Sequence, residues 1–393
     1  MKKKQIKEIN ITRAIAILGV LLVHVTSFPV SVYDTSSSVY GVYNFSNIFF
    51  KFGTPTFIFL SSFVLFYSYY HRPLNKSLIT NFYKKRLLYI IMPYVIFSLI
   101  YYMYNAPYYT TVMSNSEMTI DFLKKLATGE VFAHLYFVFI SIQFYVLFPV
   151  LLYFFKRFKG LVKHAVWIGI LVQWLFVLIN HYYLGLTNKG SISFSYFSYY
   201  FLGIYAGIYY DQIIDFLTIK KHELMKTRFG LLTLLIWSSW LIASLAHVYV
   251  WYTTRTTGAW APNLIYELLW NVHTYLSAII LLQVSYVIYR RLSNSFVNVL
   301  IHLGTYSFGV YLVHLLILNL YERLIPPFGT PLLYHIKYIA GFIVTLMISW
   351  LIVSLLSSRF KYSWILFGAT PKKIPYKEKQ SYTTDESDTK SVI

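Results

Sequence analysis

The sequence predicts an all-α, polytopic membrane bundle of about ten transmembrane helices. Three observations carry that prediction. Only 12% of the 393 residues are charged while 57% are hydrophobic, against about 25% charged in soluble globular chains. Apolar runs of the length that crosses a bilayer fill almost the whole chain. The cations fall in alternate connections between those runs, as the positive-inside rule requires. A formal net charge of +20 would suggest a nucleic-acid partner in a soluble protein. Here it is explained by short inward-facing loops, so the expected partner is the lipid bilayer and nucleic acid is not expected.

Candidate spans lie near residues 11–32, 45–70, 86–105, 134–155, 161–182, 194–217, 229–250, 265–289, 298–324 and 334–358. Each is long enough to cross. The sixth is the weakest because serines and tyrosines interrupt it. Even numbering puts both termini on one side. The N-terminal segment and the even-numbered connections after it carry Lys2, Lys3, Lys4 and Lys7, then Arg72, Lys76, Lys84, Lys85 and Arg86, then Lys156, Arg157, Lys159 and Lys163. The series continues through Lys220, Lys221, Lys226 and Arg228, then Arg290 and Arg291, and ends with Arg359, Lys361, Lys372 and Lys373. The intervening loops hold few cations, so both termini are expected in the cytoplasm.

Tyr and Trp gather near span ends, for example Tyr69 and Tyr70, Tyr182 and Tyr183, Trp251 and Trp260, as interfacial belts do. The longest outer loop, 106–133, holds Glu117, Asp121 and Glu130 and is expected to form a short helix over the outer face. Residues 1–370 make one transmembrane domain, and 371–393 form a polar cytoplasmic tail expected to be disordered. The chain has no cysteine, which removes disulfides, thiolate metal sites and a cysteine acyl-enzyme. Lys2-Lys3-Lys4 before an apolar run imitates a signal peptide, but Arg13 and His24 interrupt the run and no A-x-A site follows. The first span is therefore read as uncleaved.

Arg13 and His24 are the centre of the functional argument. Eleven positions apart on a helix, they share one face and lie about 16 Å apart along its axis. Only apolar or small residues separate them. An ionisable group there is costly and marks function by default. Imidazole, with an ordinary pKa near 6.5, suits proton transfer, which makes His24 a candidate base. His314, past the midpoint of the ninth span, and His273, His247 and His134, nearer outer ends, are expected to line one polar cavity opening outward. The competing role, an interhelical hydrogen-bonding residue, weighs more for His247 and His134 than for His24 and His314. Arg13, Lys84, Lys85 and Arg86 meet at the inner ends of spans one and three. They suit the phosphates of a nucleotide-bearing donor, although ordinary positive-inside charge explains Lys84 and Lys85 as well.

Several chemistries are excluded. No G-x-S-x-G elbow, zincin H-E-x-x-H or Walker A loop occurs, nor a histidine followed five residues later by aspartate. No metal site is expected. The acids Asp211, Asp215, Glu267 and Glu322 all sit at span ends, so a deep carboxylate relay of the proton-coupled transporter kind is missing.

At these residues the chain resembles the acyltransferase-3 family of polytopic membrane proteins, over essentially its whole length. Arg13 and His24 meet the first-helix pattern of a basic residue, ten residues, then His. Phe59-Leu60-Ser61-Ser62-Phe63 resembles the family's F-x-x-x-S-G-F segment, with Ser62 where Gly is usual. Lys84-Lys85-Arg86 followed by Pro93-Tyr94 matches the start of the third helix, with Tyr89 in place of a second arginine. His134-Leu135-Tyr136-Phe137 resembles H-L-W-F, and Ser307 to His314 resembles the ninth-helix S-x-x-x-Y-x-x-H. The F-G-T-P of Phe52 to Pro55 and the Y-F-L-G of Tyr200 to Gly203 are similar to a branch associated with extracellular poly-N-acetylglucosamine of biofilms.

The resemblance implies an integral O-acyltransferase of the cytoplasmic membrane. An acetyl or succinyl group would pass from cytoplasmic acyl-CoA, acetyl-CoA first, to a hydroxyl of an extracytoplasmic polysaccharide. In it Arg13, Arg86 and Lys85 bind the donor and His24 acts as base. Tyr311, His314 or Tyr136 stabilises the oxyanion or orients the sugar, and His134, His273 and Ser307 complete the acceptor site. An acyl-histidine intermediate stays open. The same resemblance implies an alternative, a translocator of such a polysaccharide, and either activity is compatible with a polysaccharide synthase complex as partner.

Overall fold

The computed structural model describes residues 5–326, 330–371 and 373–378. Lys2, Lys3, Lys4 and Lys372, four of the cations on which the expected orientation rests, and the tail beyond residue 378 lie outside the described residues. Those described form α-helices and short 3-10 or π turns with no strand. In chain order the helices are α1 (Glu8–Val32), α2 (Tyr40–Phe49), α3 (Gly53–Tyr69), α4 (Lys76–Arg86), α5 (Leu88–Tyr104), α6 (Ala106–Tyr109), α7 (Asn115–Thr128) and α8 (Tyr136–Arg157). They continue as α9 (Ala165–Ile179), α10 (Phe197–Ile208), α11 (Tyr210–Leu217), α12 (Arg228–Thr257), α13 (Asn263–Arg291), α14 (Asn294–Leu324), α15 (Pro331–Arg359) and α16 (Trp364–Phe367).

Among the described residues nine helices or continuous helix pairs are long and apolar enough to cross a membrane. Their outer faces agree. Ile339, Ile343, Met347 and Leu351, one turn apart along α15, are all exposed, as are Trp167, Leu171 and Leu175 on α9. A stripe of that kind suits lipid.

The tenth crossing is the sixth expected span, and it is built differently. α10 and α11 are each too short to cross, and they are offset at Tyr209. Yet the segment leaves the Lys189 end paired with Glu267 (2.6 Å) and reaches Thr218, whose carbonyl accepts from Arg290 (2.7 Å). Glu267 and Arg290 lie on the one helix α13, about 34 Å apart by helical rise. Residues 189–218 therefore cover a full span's depth. The serines and tyrosines that weakened this prediction face protein instead of lipid, for nearly all of α10 is buried.

Small residues let the central helices touch backbone to backbone, the usual device where lipid removes a hydrophobic drive. A Cβ on Gly203 would lie 2.4 Å from the Phe59 carbonyl of α3, and one on Gly207 2.5 Å from that of Phe63. A Cβ on Gly304 of α14 would come within 1.7 Å of the Asn10 carbonyl of α1.

Two expectations need adjustment. The run 45–70 is broken at 50–52 into α2 and α3. The tail expected to be disordered from 371 is docked over 373–378. Lys377 donates its amide to Asn298 Oδ1 (2.7 Å) and its ammonium to the Tyr289 carbonyl (2.6 Å), and Lys7 donates to the Tyr376 carbonyl (2.7 Å). The orphan carbonyls at the end of α13 supply the acceptors that a polar tail needs. The start of α1, the end of α13 and the start of α14 thus meet at one end of the bundle. The outer-loop helix forms as α7, with a capping box between Ser114 and Glu117.

Candidate active site

Three histidines from three elements converge at mid-bundle. The rings of His24 on α1 and His314 on α14 lie 5.1 Å apart, and those of His314 and His134 lie 5.3 Å apart. Tyr311 is 5.3 Å from His134 and 5.6 Å from His314, centre to centre. His134 and His314 are fully buried, whereas His24 is half-buried.

The placement of His134 corrects the sequence reading, which put it at the outer opening of the fourth span. α7 ends at Gly129 in the left-handed conformation (φ 78°), which only glycine adopts without strain. The chain then dips inward, burying Val131, His134 and Leu135, before α8 begins. Non-helical backbone at that depth must be satisfied by protein. Tyr311 Oη does so, donating to the His134 carbonyl (2.5 Å). Tyr101 braces the other side, donating to the Leu312 carbonyl (2.8 Å) while accepting from the Leu316 amide (3.0 Å).

Hydrogen bonding fixes one tautomer. His314 Nδ1 lies 2.6 Å from the Tyr311 carbonyl, which can only accept, so Nδ1 carries the proton and Nε2 keeps a lone pair. That Nε2 is buried without a partner, and so is Nδ1 of His134. Buried polar atoms of this kind are rare and call for a ligand or a chemical role. His24, the most accessible of the three, makes no hydrogen bond among the described residues.

A cavity of about 210 Å³ runs from the termini end of the bundle to the foot of this cluster. Arg13 and Arg86 stand on its wall with Tyr89 and Thr370, Ser307 lies further in, and Tyr311 and Phe137 close it. Among the described residues no carboxylate lines it. Arg13 has a neutral acceptor, Asn10 Oδ1 at 3.3 Å. Two guanidinium groups without an acid on a shared wall are suited to phosphate. His24 itself is not on that wall; Tyr311 stands between.

Of the residues singled out from sequence, the structure brings together His24, His134, Tyr311 and His314, and puts Arg13, Arg86 and Ser307 on the connecting cavity. Tyr136 is adjacent, its hydroxyl 3.2 Å from Thr54 Oγ1. Two fall elsewhere. Lys85 is exposed and off the wall because α4 turns it away from Arg86's side. His273 pairs with His247, Nδ1 to Nδ1 at 3.1 Å, and packs on Phe49, so the single cavity expected for all the imidazoles is replaced by two groups. The sequence reading passed over Ser141 and Tyr145, which line the cavity one and two turns after Phe137; that i, i+4, i+8 stripe is visible in the sequence. Among the described residues no three His, Asp or Glu side chains converge as metal ligands.

Comparison with known proteins identifies the family. The model of the acyltransferase-domain family matches residues 6–354. A protein of Staphylococcus aureus (strain Mu50 / ATCC 700699) named "Probable poly-beta-1,6-N-acetyl-D-glucosamine export protein" is 22% identical over 68% of this chain and 69% of its own. The proteins of the same name in strains MSSA476 and MW2 are each 21% identical over the same shares. No solved structure matches the chain. The match spans the helices that carry Arg13, His24, Arg86, His134 and His314, and the chain belongs to the acyltransferase-3 family of multi-pass membrane proteins.

Proposed function

We infer that the protein is an O-acyltransferase of the cytoplasmic membrane, with both termini inside, that passes an acetyl or succinyl group from acyl-CoA to a hydroxyl of an extracytoplasmic glycan. The observation that supports this reading is the cavity that runs from Arg13 and Arg86, with no acid on its wall among the described residues, to Tyr311 at the foot of the histidine cluster. CoA phosphates sit at Arg13 and Arg86, and the pantetheine arm lies along α1 towards Tyr311. Displacement of the Tyr311 ring opens the thioester to His24. His24 takes the proton of the sugar hydroxyl, whose oxygen forms the ester bond to the acyl carbon. The C–S bond breaks, and the imidazolium returns its proton to the leaving thiolate. Tyr311 Oη and His314 Nδ1 already give their protons to carbonyls, so Tyr136 Oη is the candidate donor to the developing oxyanion. His314, held by the Tyr311 carbonyl, presents its lone pair beside His24 and orients it, as a third group orients the base in other nucleophile systems.

The export reading is favoured by the names of the relatives. It gives no role to two guanidinium groups on the wall of one cavity. The test uses purified protein in nanodiscs with radiolabelled acetyl-CoA or succinyl-CoA and oligo-β-1,6-N-acetylglucosamine. Base-labile label on the oligosaccharide supports transfer. No ester with either donor, together with glycan retained inside cells lacking the protein, would replace transfer by export.

A further inference from the structure

At the opposite end of the bundle lies a second cavity of about 570 Å³, within the size range of small-molecule sites. It is walled by Trp251, Trp260, Trp270 and Tyr266 and bordered by Lys51, Lys189 and Glu267. The Trp251 and Trp260 ring centres are 6.2 Å apart, and Tyr266 sits 5.0 Å from Trp251 and 6.0 Å from Trp260. Tyr266 also ties down the rim, accepting from the Ala261 amide (3.1 Å).

The charge of this cavity is unbalanced. Its one carboxylate, Glu267, already receives Lys189 at Oε2 (2.6 Å) and Asn271 Nδ2 at Oε1 (3.3 Å). Lys51 has no ion-pair or hydrogen-bond partner among the described residues; its ammonium lies 5.0 Å from the Trp251 ring centre. The guanidinium of Arg255 lies 5.0 Å from the same ring and, among the described residues, donates only to the neutral Asn44 Oδ1 (2.9 Å) and Asn47 Oδ1 (3.0 Å). Two cations thus crowd one indole with no acid to offset them. Lys51 also occupies the non-helical break between α2 and α3, inside an otherwise apolar span, the kind of position an ionisable residue occupies for function. An anion from outside would relieve its repulsion from Arg255.

We propose that this cavity binds a saccharide unit bearing an anionic group, with the sugar ring against the tryptophan wall and the anion on Lys51. Indole rings offer broad apolar faces with a polar edge, which suits the C–H face of a pyranose and its rim of hydroxyls. A lipid headgroup would supply the same anion, but the aromatic rings wall a cavity of small-molecule size instead of lying flat along the lipid face. The assignment does not rest on acyl transfer, since a transferase and an exporter both need a hold on the glycan outside.

The test is binding, measured by calorimetry and tryptophan fluorescence on the full chain in phosphatidylcholine nanodiscs. The probes are a glucuronate-containing tetrasaccharide and the neutral tetrasaccharide chitotetraose. The anionic probe should bind more tightly. Lys51→Met should weaken it by roughly ten- to a hundredfold, the worth of one charge-assisted contact, and leave the neutral probe unchanged, while Lys51→Arg should retain it. Trp260→Ala, at a site 70% exposed and so tolerant of change, should weaken both probes. His24→Ala should bind as wild type, which separates this outcome from any failure of the transfer reading. Equal affinity for the two probes, no binding of either, or a Lys51→Met protein that binds the anionic probe as wild type would overturn the proposal. So would a fluorescence response that follows added phosphatidylglycerol and ignores the tetrasaccharide.

Discussion

The two cavities hold positive charge in different ways, and the contrast separates their ligands. The one at the termini end presents guanidinium groups on α1 and at the end of α4, set among Tyr89, Tyr145 and small residues of α14. A planar fork with fixed donors matches phosphate oxygens from one direction. The one at the opposite end presents an ammonium at a helix break against tryptophans. A compact charge on a flexible stem tolerates many orientations of its partner. Under the two proposals above, one end takes a ligand of constant chemistry and the other a ligand whose substituents vary.

Variants at the two ends should therefore fail in different assays. The largest effect belongs to His24→Ala, which should lower ester formation by about 10²- to 10⁴-fold, the usual worth of a positioned base, with donor binding intact. Retained transfer would remove the base from α1 and leave His314 or His134 to be tested. Next, Arg13→Gln should weaken acyl-CoA binding by roughly tenfold or more, read by calorimetry, whereas Lys85→Gln should change it little. Equal losses would mean that general positive charge, not the cavity wall, recruits the donor. Tyr311→Phe removes the donor to the buried His134 carbonyl and should destabilise the protein by about 1–3 kcal/mol, seen as a lower melting temperature of the solubilised protein. An unchanged melting temperature would show that the dipping turn is held by other contacts. The smallest effect is Trp260→Ala on the site at the termini end, where acyl-CoA affinity should not move.

Much of this arrangement is visible in the linear chain, and the exceptions have physical causes. Hydropathy and loop charge determine spans because bilayer thickness imposes a length on every helix. Arg13 and His24 are legible because one straight helix relates them. His134 is not, because the inward turn after Gly129 depends on a tyrosine of α14 that is 177 positions away in the chain. The sixth span reads poorly for a related reason: hydropathy detects contact with lipid, and α10 contacts protein. Lys51 carries the same signal as Arg13, a charge within an apolar run, but its aromatic surroundings come from α12 and α13, far along the chain.

The close approach of Gly304 to the Asn10 carbonyl has a consequence for the chemistry. α1 is a rigid ruler whose marks are a guanidinium and an imidazole about 16 Å apart, and the missing methyl at Gly304 sets where that ruler's zero lies against α14. A side chain of any size there would push the ruler away and carry Arg13 and His24 with it, leaving His314 behind. The spacing along α1 would survive unchanged while the alignment across the two helices was lost, so a protein altered at this one position should both grip its donor less tightly and hold its base out of register with His314.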